Sequence, residues 1–399
     1  MLKSTKFPGQ PVFSQVISFI PSGLVSKIAS EHDSDRYYKK FKTHAHLITM
    51  LYAVMSGLQS LSELFTGLEA FGQKLRHLGL AHFPRKSTVS DGNKDRSSEV
   101  FGAIYQALLR KYFPRSPDSR EKKKWLDGLY IVDSTTISLF KEILKCVGRK
   151  PVSGKRKGGI KVHTVIQLGD LMPRFIRFSA ASRHDRRFLK HVKFDAGALV
   201  TFDKAYNDYG MFAGWTQKGV DFVTRMKKNA VYEVEQTHKV GENESGKVLK
   251  DQTVLLTYGK DKKQLRVRRV EYYDEKNDKV LVFLSNIFSM SADEVAGIYE
   301  KRWEIECLFK RLKQNFPLKY FLGDNQNAIE IQIWCSLIAN LIYSVIKKGL
   351  KRKWAFSNIC SMIRLHLPNY IHLIQFLNNP TQPLNKHPKP ALQPQLFET

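Results

Sequence analysis

The hydrophobic pattern of this chain changes period twice, and that limits the folds open to it. Up to about residue 113, apolar residues recur at helical spacing, as in Leu61, Leu64, Phe65, Leu68, Leu75 and Leu78, then Val100, Ile104, Tyr105 and Leu108. Ser60 and Glu63 have the spacing of a capping box ahead of the first run, and Gly79 is a natural stop after it. Pro114, Pro117 and the charged run Arg115 to Lys124 then break the pattern. Short β-branched and aromatic runs follow at Leu129 to Val132, Lys161 to Leu168, Arg174 to Phe178, Leu199 to Phe202 and Asp221 to Arg225. Four more, at Val231 to Val234, Thr253 to Tyr258, Leu265 to Tyr273 and Val280 to Leu284, are separated by Gly, Asn, Asp and Lys and predict an all-β insertion. Helical spacing returns from Ser291 to about Lys348. The expected organisation is therefore α/β. A helical region spans 1–115, a sheet-based core spans 125–228 and 287–350, and a β-rich insertion at 229–286 divides the core. A C-terminal helix and a Pro-rich flexible tail occupy 351–399.

Charge narrows the partners. Lysine and arginine number 65 against 37 acids, a net charge of +28, so a polyanion is the simplest partner. The excess runs along the whole chain, whereas a membrane-surface helix needs only a local patch. Met1 to Gln10 has no long apolar run, so no secretory leader is expected. Ile331 to Ile346 is apolar, but Glu330, Gln332, Asn340 and Ser344 flank or interrupt it, which favours a buried core helix over a membrane span. Cys146, Cys307, Cys335 and Cys360 lack Cys-x-x-Cys spacing and a histidine pair, so no zinc site is expected and the thiols fit a reducing cytoplasm.

The candidate chemistry lies in three carboxylates. Asp133 ends the apolar run Leu129-Tyr130-Ile131-Val132, and Asp203 ends Leu199-Val200-Thr201-Phe202. A carboxylate at the tip of a buried strand is costly unless a cap or a metal compensates it. Each alone also fits a turn, and Asp133-Ser134-Thr135-Thr136 could be only that. Tyr299, Arg302, Glu306 and Lys313 share one helix face, beside an apolar stripe of Ile298, Ile305, Leu308, Phe309 and Leu312. A surface Arg302–Glu306 pair is the plain alternative. Taken together, two strand-end aspartates and a helical glutamate are the oxygen ligands Mg²⁺ takes. Two such ions, roughly 3.5–4 Å apart, can activate a water or a 3′-hydroxyl and stabilise a leaving oxygen.

These residues resemble a known family. Tyr299-(2)-Arg302-(3)-Glu306-(6)-Lys313 matches without a mismatch the signature of bacterial insertion-sequence transposases of the IS-four family. Asp203-Lys204-Ala205-Tyr206 resembles the family's second-aspartate motif, and Asp133-Ser134-Thr135 fits the first. The resemblance covers roughly residues 125–345, and the β-rich insertion falls where that family has one. It implies an RNase H-like catalytic core and a DDE triad of Asp133, Asp203 and Glu306 as both catalytic residues and metal ligands. It implies two Mg²⁺ ions, with Mn²⁺ able to stand in. It also implies cut-and-paste movement of double-stranded DNA through terminal inverted repeats into target DNA, by a homodimer on DNA, in the bacterial cytoplasm at the nucleoid. Better-known members pass through a DNA hairpin. The alternatives are a non-catalytic DNA-binding protein derived from a transposase, and an RNase H-like nuclease that cuts without joining.

Other residues belong to the DNA-binding expectation. Tyr299, Arg302 and Lys313 flank Glu306 and would hold phosphates. Seven basic residues and no acid occur from Lys145 to Lys161, and Lys155, Arg156, Lys157 and Lys161 there are expected to grip phosphate beside Asp133. Arg183, His184, Arg186, Arg187, Lys190 and His191 make a second basic cluster. His163 is read as a core histidine in preference to a metal neighbour, and Trp303 as core packing in preference to a base-stacking surface. In the N-terminal region, Ser87 to Lys94 fits the probing segment of a helix-turn-helix and equally a wet connection in a helical bundle.

Overall fold

The computed structural model describes residues 9–69, 72–114, 128–139, 158–181, 185–240 and 245–380. It divides the chain into two compact units, one of Met1–Tyr112 with Leu312–Thr399 and one of Phe113–Arg311. The helical unit contains α1 (Val12–Ile17), α2 (Leu24–Glu31), α3 (Thr43–Ser56), α4 (Leu61–Glu69), α5 (Lys86–Asp95) and α6 (Ser98–Tyr112). The sheet unit carries β1 to β9, α7 (Tyr209–Gln217) and α8 (Ala292–Glu300). Helix α9 (Trp303–Asn315) crosses from one unit into the other, and α10 (Gln326–Gly349), α11 (Phe356–His366) and α12 (Leu373–Asn378) complete the helical unit.

The helical unit is built around α10, whose residues Ile331, Leu337, Ile338, Leu341 and Ile342 are buried. This is the one helix among the described residues long and apolar enough to cross a membrane, and 83% of its apolar window is buried within the protein. Gly102 of α6 lets that helix approach closely, because a Cβ there would sit 2.9 Å from the Trp334 ring. A polar network closes the other side. Arg96 donates to His46 Nδ1 at 2.8 Å and to the Phe41 carbonyl at 2.8 Å, while His46 Nε2 meets Asn93 Oδ1 at 2.7 Å. Burial, and then Arg96, push the His46 pKa down to about 3. The stretch after Gln59 departs from expectation. Ser60 Oγ caps the Glu63 N–H, but the Glu63 carboxylate accepts from Gln59 N, and α4 stops at Glu69 ahead of a 3-10 turn at Gly72–Leu78.

The sheet unit is mixed α/β, with nine strands among the described residues in the order β3-β2-β1-β4-β5-β9-β8-β7-β6. β1 (Leu129–Leu139), β4 (Leu199–Phe202) and β5 (Asp221–Arg225) run parallel. β2 (Gly158–Gln167) and β3 (Pro173–Ala180) extend one edge antiparallel. β6 (Tyr232–His238), β7 (Val248–Tyr258), β8 (Lys263–Asp274) and β9 (Lys279–Ser285) form an antiparallel meander. The expected all-β insertion therefore has no sheet of its own, because β9 pairs with β5 through Thr224↔Leu284 and the meander prolongs the same sheet. Under it lies an aromatic core of Phe202, Phe212, Trp215 and Phe222, with Val254, Leu256, Leu265 and Val267 from the meander. Within the meander, Arg268 makes a two-pronged pair with Asp251 at 2.9 and 2.6 Å.

Candidate active site

Strand register brings the two aspartates side by side. The last parallel pair between β1 and β4 is Val132↔Phe202, so Asp133 and Asp203 occupy the next positions along these neighbouring strands. This is the carboxyl edge of the parallel strands, where α/β sheets open a crevice. Asp203 leaves the strand there and caps a 3-10 turn, Lys204–Tyr206, by accepting from Ala205 N at 2.9 Å. Asp133 does not end its strand. β1 continues to Leu139 on β2 alone, with Asp133 opposite Thr164, so Ser134-Thr135-Thr136 is extended strand and not a turn. β-branched threonines suit a pleated ladder, and here that preference prevails.

The third carboxylate arrives with its signature. The stretch of helical spacing from Ser291 to Lys348 comprises three helices, α8, α9 and α10. Between α8 and α9 the backbone tightens into i→i−3 bonds, Arg302 N to Tyr299 O at 3.0 Å and Ile305 N to Arg302 O at 3.3 Å. Tyr299 therefore lies on α8, buried against Phe283 with ring centres 5.1 Å apart, while Glu306 and Lys313 lie on α9. Arg302, at the bend, donates from Nη1 to Asp133 Oδ2 at 3.0 Å and from Nη2 to Glu306 Oε1 at 2.6 Å. Its guanidinium also lies 5.6 Å from the centre of the Tyr299 ring. Lys313 lies seven residues beyond Glu306, and burial lowers the pKa of its ammonium.

The electrostatics match a crowded carboxylate site. Burial raises the Asp133 pKa to about 6. The Ser134 N–H and Arg302 pull it down, and Asp203 and Glu306 push it further up by like charge. Both oxygens of Asp133 are engaged, Oδ1 by Ser134 N at 2.7 Å and Oδ2 by Arg302. Among the described residues no three His, Cys, Asp or Glu side chains gather closely enough to hold a metal ion. A guanidinium stands between two of the three expected ligands. The donor set itself consists of carboxylate oxygens, which a hard divalent cation prefers.

A second layer supports Asp133, and it includes a residue the sequence reading passed over. Asp185, at the start of a 3-10 turn (Asp185–His191), accepts from Ser134 Oγ at 3.0 Å and pairs with Lys161 at 3.0 Å. His163 lies 3.6 Å from it, donates or accepts with Ser179 at 2.9 Å, and stacks on Phe188 at 4.7 Å. Burial pushes the His163 pKa down to about 4, so this histidine is a core residue, as expected. Tyr206, from the second-aspartate motif, is buried and hydrogen-bonds Ser134. The sequence signal for Asp185 was an acid inside a run of bases, Arg183-His184-Asp185-Arg186. Lys161, expected among the phosphate contacts, is held by this acid.

Trp303 corrects the core-packing expectation, since it is 62% exposed. It stands two residues from buried Ile305, about 200° round the helix, and so faces away from the apolar stripe. With Tyr272, Phe283, Tyr299 and Arg302 it lines a groove of about 580 Å³. Lys155, Arg156 and Lys157 lie outside the described residues, as do Cys146 and Arg183-His184. Of the other cysteines, Cys307 is exposed, and Cys335 and Cys360 are buried.

Residues 124–342 match the family model described as a transposase DDE domain, and residues 8–81 match a domain of unknown function (DUF4372). A Sinorhizobium fredii protein assigned to the transposases (y4zB) is 30% identical over 259 residues, covering 64% of this chain and 70% of that one. A Geobacillus stearothermophilus protein assigned as the transposase of insertion sequence element IS5377 is 25% identical, covering 66% and 67%. A Synechocystis protein assigned to insertion sequence element IS4SA is 26% identical, covering 65% and 71%.

Proposed function

The chain belongs to the DDE transposases of bacterial insertion sequences, and we propose that Asp133, Asp203 and Glu306 are its catalytic and metal-binding triad. Enzymes of this family bind DNA and generally work with divalent metal ions. The observation that carries the assignment is the Arg302 bridge. A signature residue joins Asp133 to Glu306, while strand register sets Asp203 beside Asp133. An RNase H-like core is supported by the order β3-β2-β1-β4-β5, with three antiparallel strands followed by two parallel ones.

The reading follows from the residue chemistry. The three carboxylates would hold Mg²⁺, as a pair of ions with Mn²⁺ as substitute, since they are hard oxygen donors. When bound, such ions activate the attacking oxygen and stabilise the leaving one at a phosphodiester. Arg302 grips backbone phosphate with its planar fork, Tyr299 backs the guanidinium, and Lys313 offers a point charge further along α9. Lys155, Arg156 and Lys157, in the basic run Lys145 to Lys161, would add phosphate contacts. Cut-and-paste movement then needs two inverted-repeat ends held together, which implies a homodimer on DNA, at the nucleoid in the cytoplasm. Residues 1–115 are assigned to reading the element ends, with α5 exposing Arg85, Lys86, Ser87, Ser90 and Lys94 around a buried Val89.

Cleavage of end DNA tests the triad. Asp133→Asn, Asp203→Asn and Glu306→Gln should each lower Mg²⁺-dependent cleavage by at least about 1000-fold, the scale of losing a major transition-state contact. DNA affinity should change little. Asp133→Asn should also leave the fold at least as stable at pH 7. A carboxyl whose folded pKa is raised to about 6 favours folding at low pH, and that contribution is lost as pH rises through 6. Near-normal cleavage by any one variant removes that residue from the triad.

A further inference from the structure

We propose that Arg302 is a displaceable lock on the carboxylates, so that DNA binding opens the cation site and precedes metal loading. The proposal rests on the triad assignment above and concerns the order in which its ligands arrive. Asp133 has one oxygen tied to the backbone N–H of Ser134, a short and local link, and the other taken by Arg302. Glu306 gives Oε1 to the same guanidinium. A divalent cation reaching between Asp133 and Glu306 must therefore compete with a positive group already bonded to both. Of the groups engaged there, Arg302 has the long, rotatable side chain and is the one able to leave.

Its bonding leaves one donor unmade. Nε of Arg302 is buried and has no hydrogen-bond partner among the described residues. An unmade buried donor is a standing cost to the folded state. Arg268 in the same unit offers the contrast. It uses Nε and Nη2 on Asp251 and Nη1 on the carbonyls of Ile287 and Met290, so every nitrogen is spent. Arg268 is fastened, whereas Arg302 holds two carboxylates at the cost of one donor. A backbone phosphate has oxygens enough to take the whole fork bidentately. Once a phosphate draws Arg302 away, Asp133 Oδ2 and Glu306 Oε1 are released together. Linkage then makes the effect reciprocal, so DNA tightens cation binding and the cation tightens DNA binding.

The test is Mn²⁺ binding to the full-length protein without DNA, read by electron paramagnetic resonance. Arg302→Gln should bind Mn²⁺ at least about tenfold more tightly than the unmodified chain, within the range usual for coupled sites. Arg302→Lys, which keeps the charge and gives up the fork, should also bind more tightly, and it guards against misfolding of the glutamine variant. Unchanged or weaker Mn²⁺ binding in both variants overturns the lock. Asp203→Asn and Glu306→Gln, each combined with Arg302→Gln, serve as controls for the site itself. If the double variants bind Mn²⁺ like Arg302→Gln alone, the triad assignment fails. If they bind it more weakly while both single Arg302 variants match the unmodified chain, only the lock fails.

Discussion

Each unit holds an arginine within a polar network, and Arg96 and Arg302 are used in opposite ways. Arg96 in the helical unit is 2% exposed and meets His46, the Phe41 and Ser34 carbonyls, and the face of Tyr38 at 4.0 Å. Its partners are uncharged groups of the same helical layer, apart from Asp35 at 3.6 Å. Arg302 in the sheet unit faces carboxylates that repel one another and keeps a donor unpaired. A guanidinium fastened by neutral groups holds a fold together. One stretched between competing acids is set up to exchange partners, which is what a phosphate-handling site needs.

Substitution should separate the two. Arg96→Met should cost the most stability, about 3–5 kcal/mol, the range seen when one member of a buried charged network is removed. Thermal or urea unfolding checks this, and a loss below about 1 kcal/mol would show Arg96 to be dispensable. Arg302→Ala should scarcely move the melting temperature, yet slow cleavage about 100-fold, as a misplaced phosphate of ~1 Å can. Single-turnover cleavage at saturating DNA decides it, because an ordinary surface ion pair predicts a near-normal rate.

Smaller effects sharpen the same contrast. His46 beside Arg96 refuses a proton in the folded state that the unfolded chain accepts below pH 6.5. Its contribution is complete above 6.5 and is lost as pH falls toward 3, by up to about 1.4 kcal/mol per unit. His46→Gln should flatten the stability profile between pH 6.5 and 5, and an unaltered slope would assign the acid sensitivity elsewhere. Last, Lys161→Ala should leave the salt dependence of DNA binding almost unchanged, since its ammonium is held by Asp185. A lysine on a phosphate would reduce that slope by about 1.

What could be read from residues alone followed from local pattern. The apolar runs ahead of Asp133 and Asp203 and the 2-3-6 spacing around Glu306 are properties of neighbouring residues, and they singled out the three carboxylates. Several features needed information that local pattern lacks. Ser134-Thr135-Thr136 suits a turn and a strand equally, and only pairing with β2 selects the strand. Arg96 resembled its basic neighbours until His46 and Phe41, about 50 residues away, enclosed it. The bend at Arg302 has no glycine or proline to announce it. The grouping of the C-terminal helices with α3, α5 and α6 is long-range packing, which no periodicity records.

Crystals of the protein bound to end DNA and soaked in Mn²⁺ offer the most direct test of the triad, through anomalous diffraction at the manganese edge. The account predicts density ligated by Asp133, Asp203 and Glu306, with Arg302 turned from the carboxylates to a phosphate. Manganese bound elsewhere, with Arg302 still bridging Asp133 and Glu306 in a complex that cleaves DNA, would contradict it.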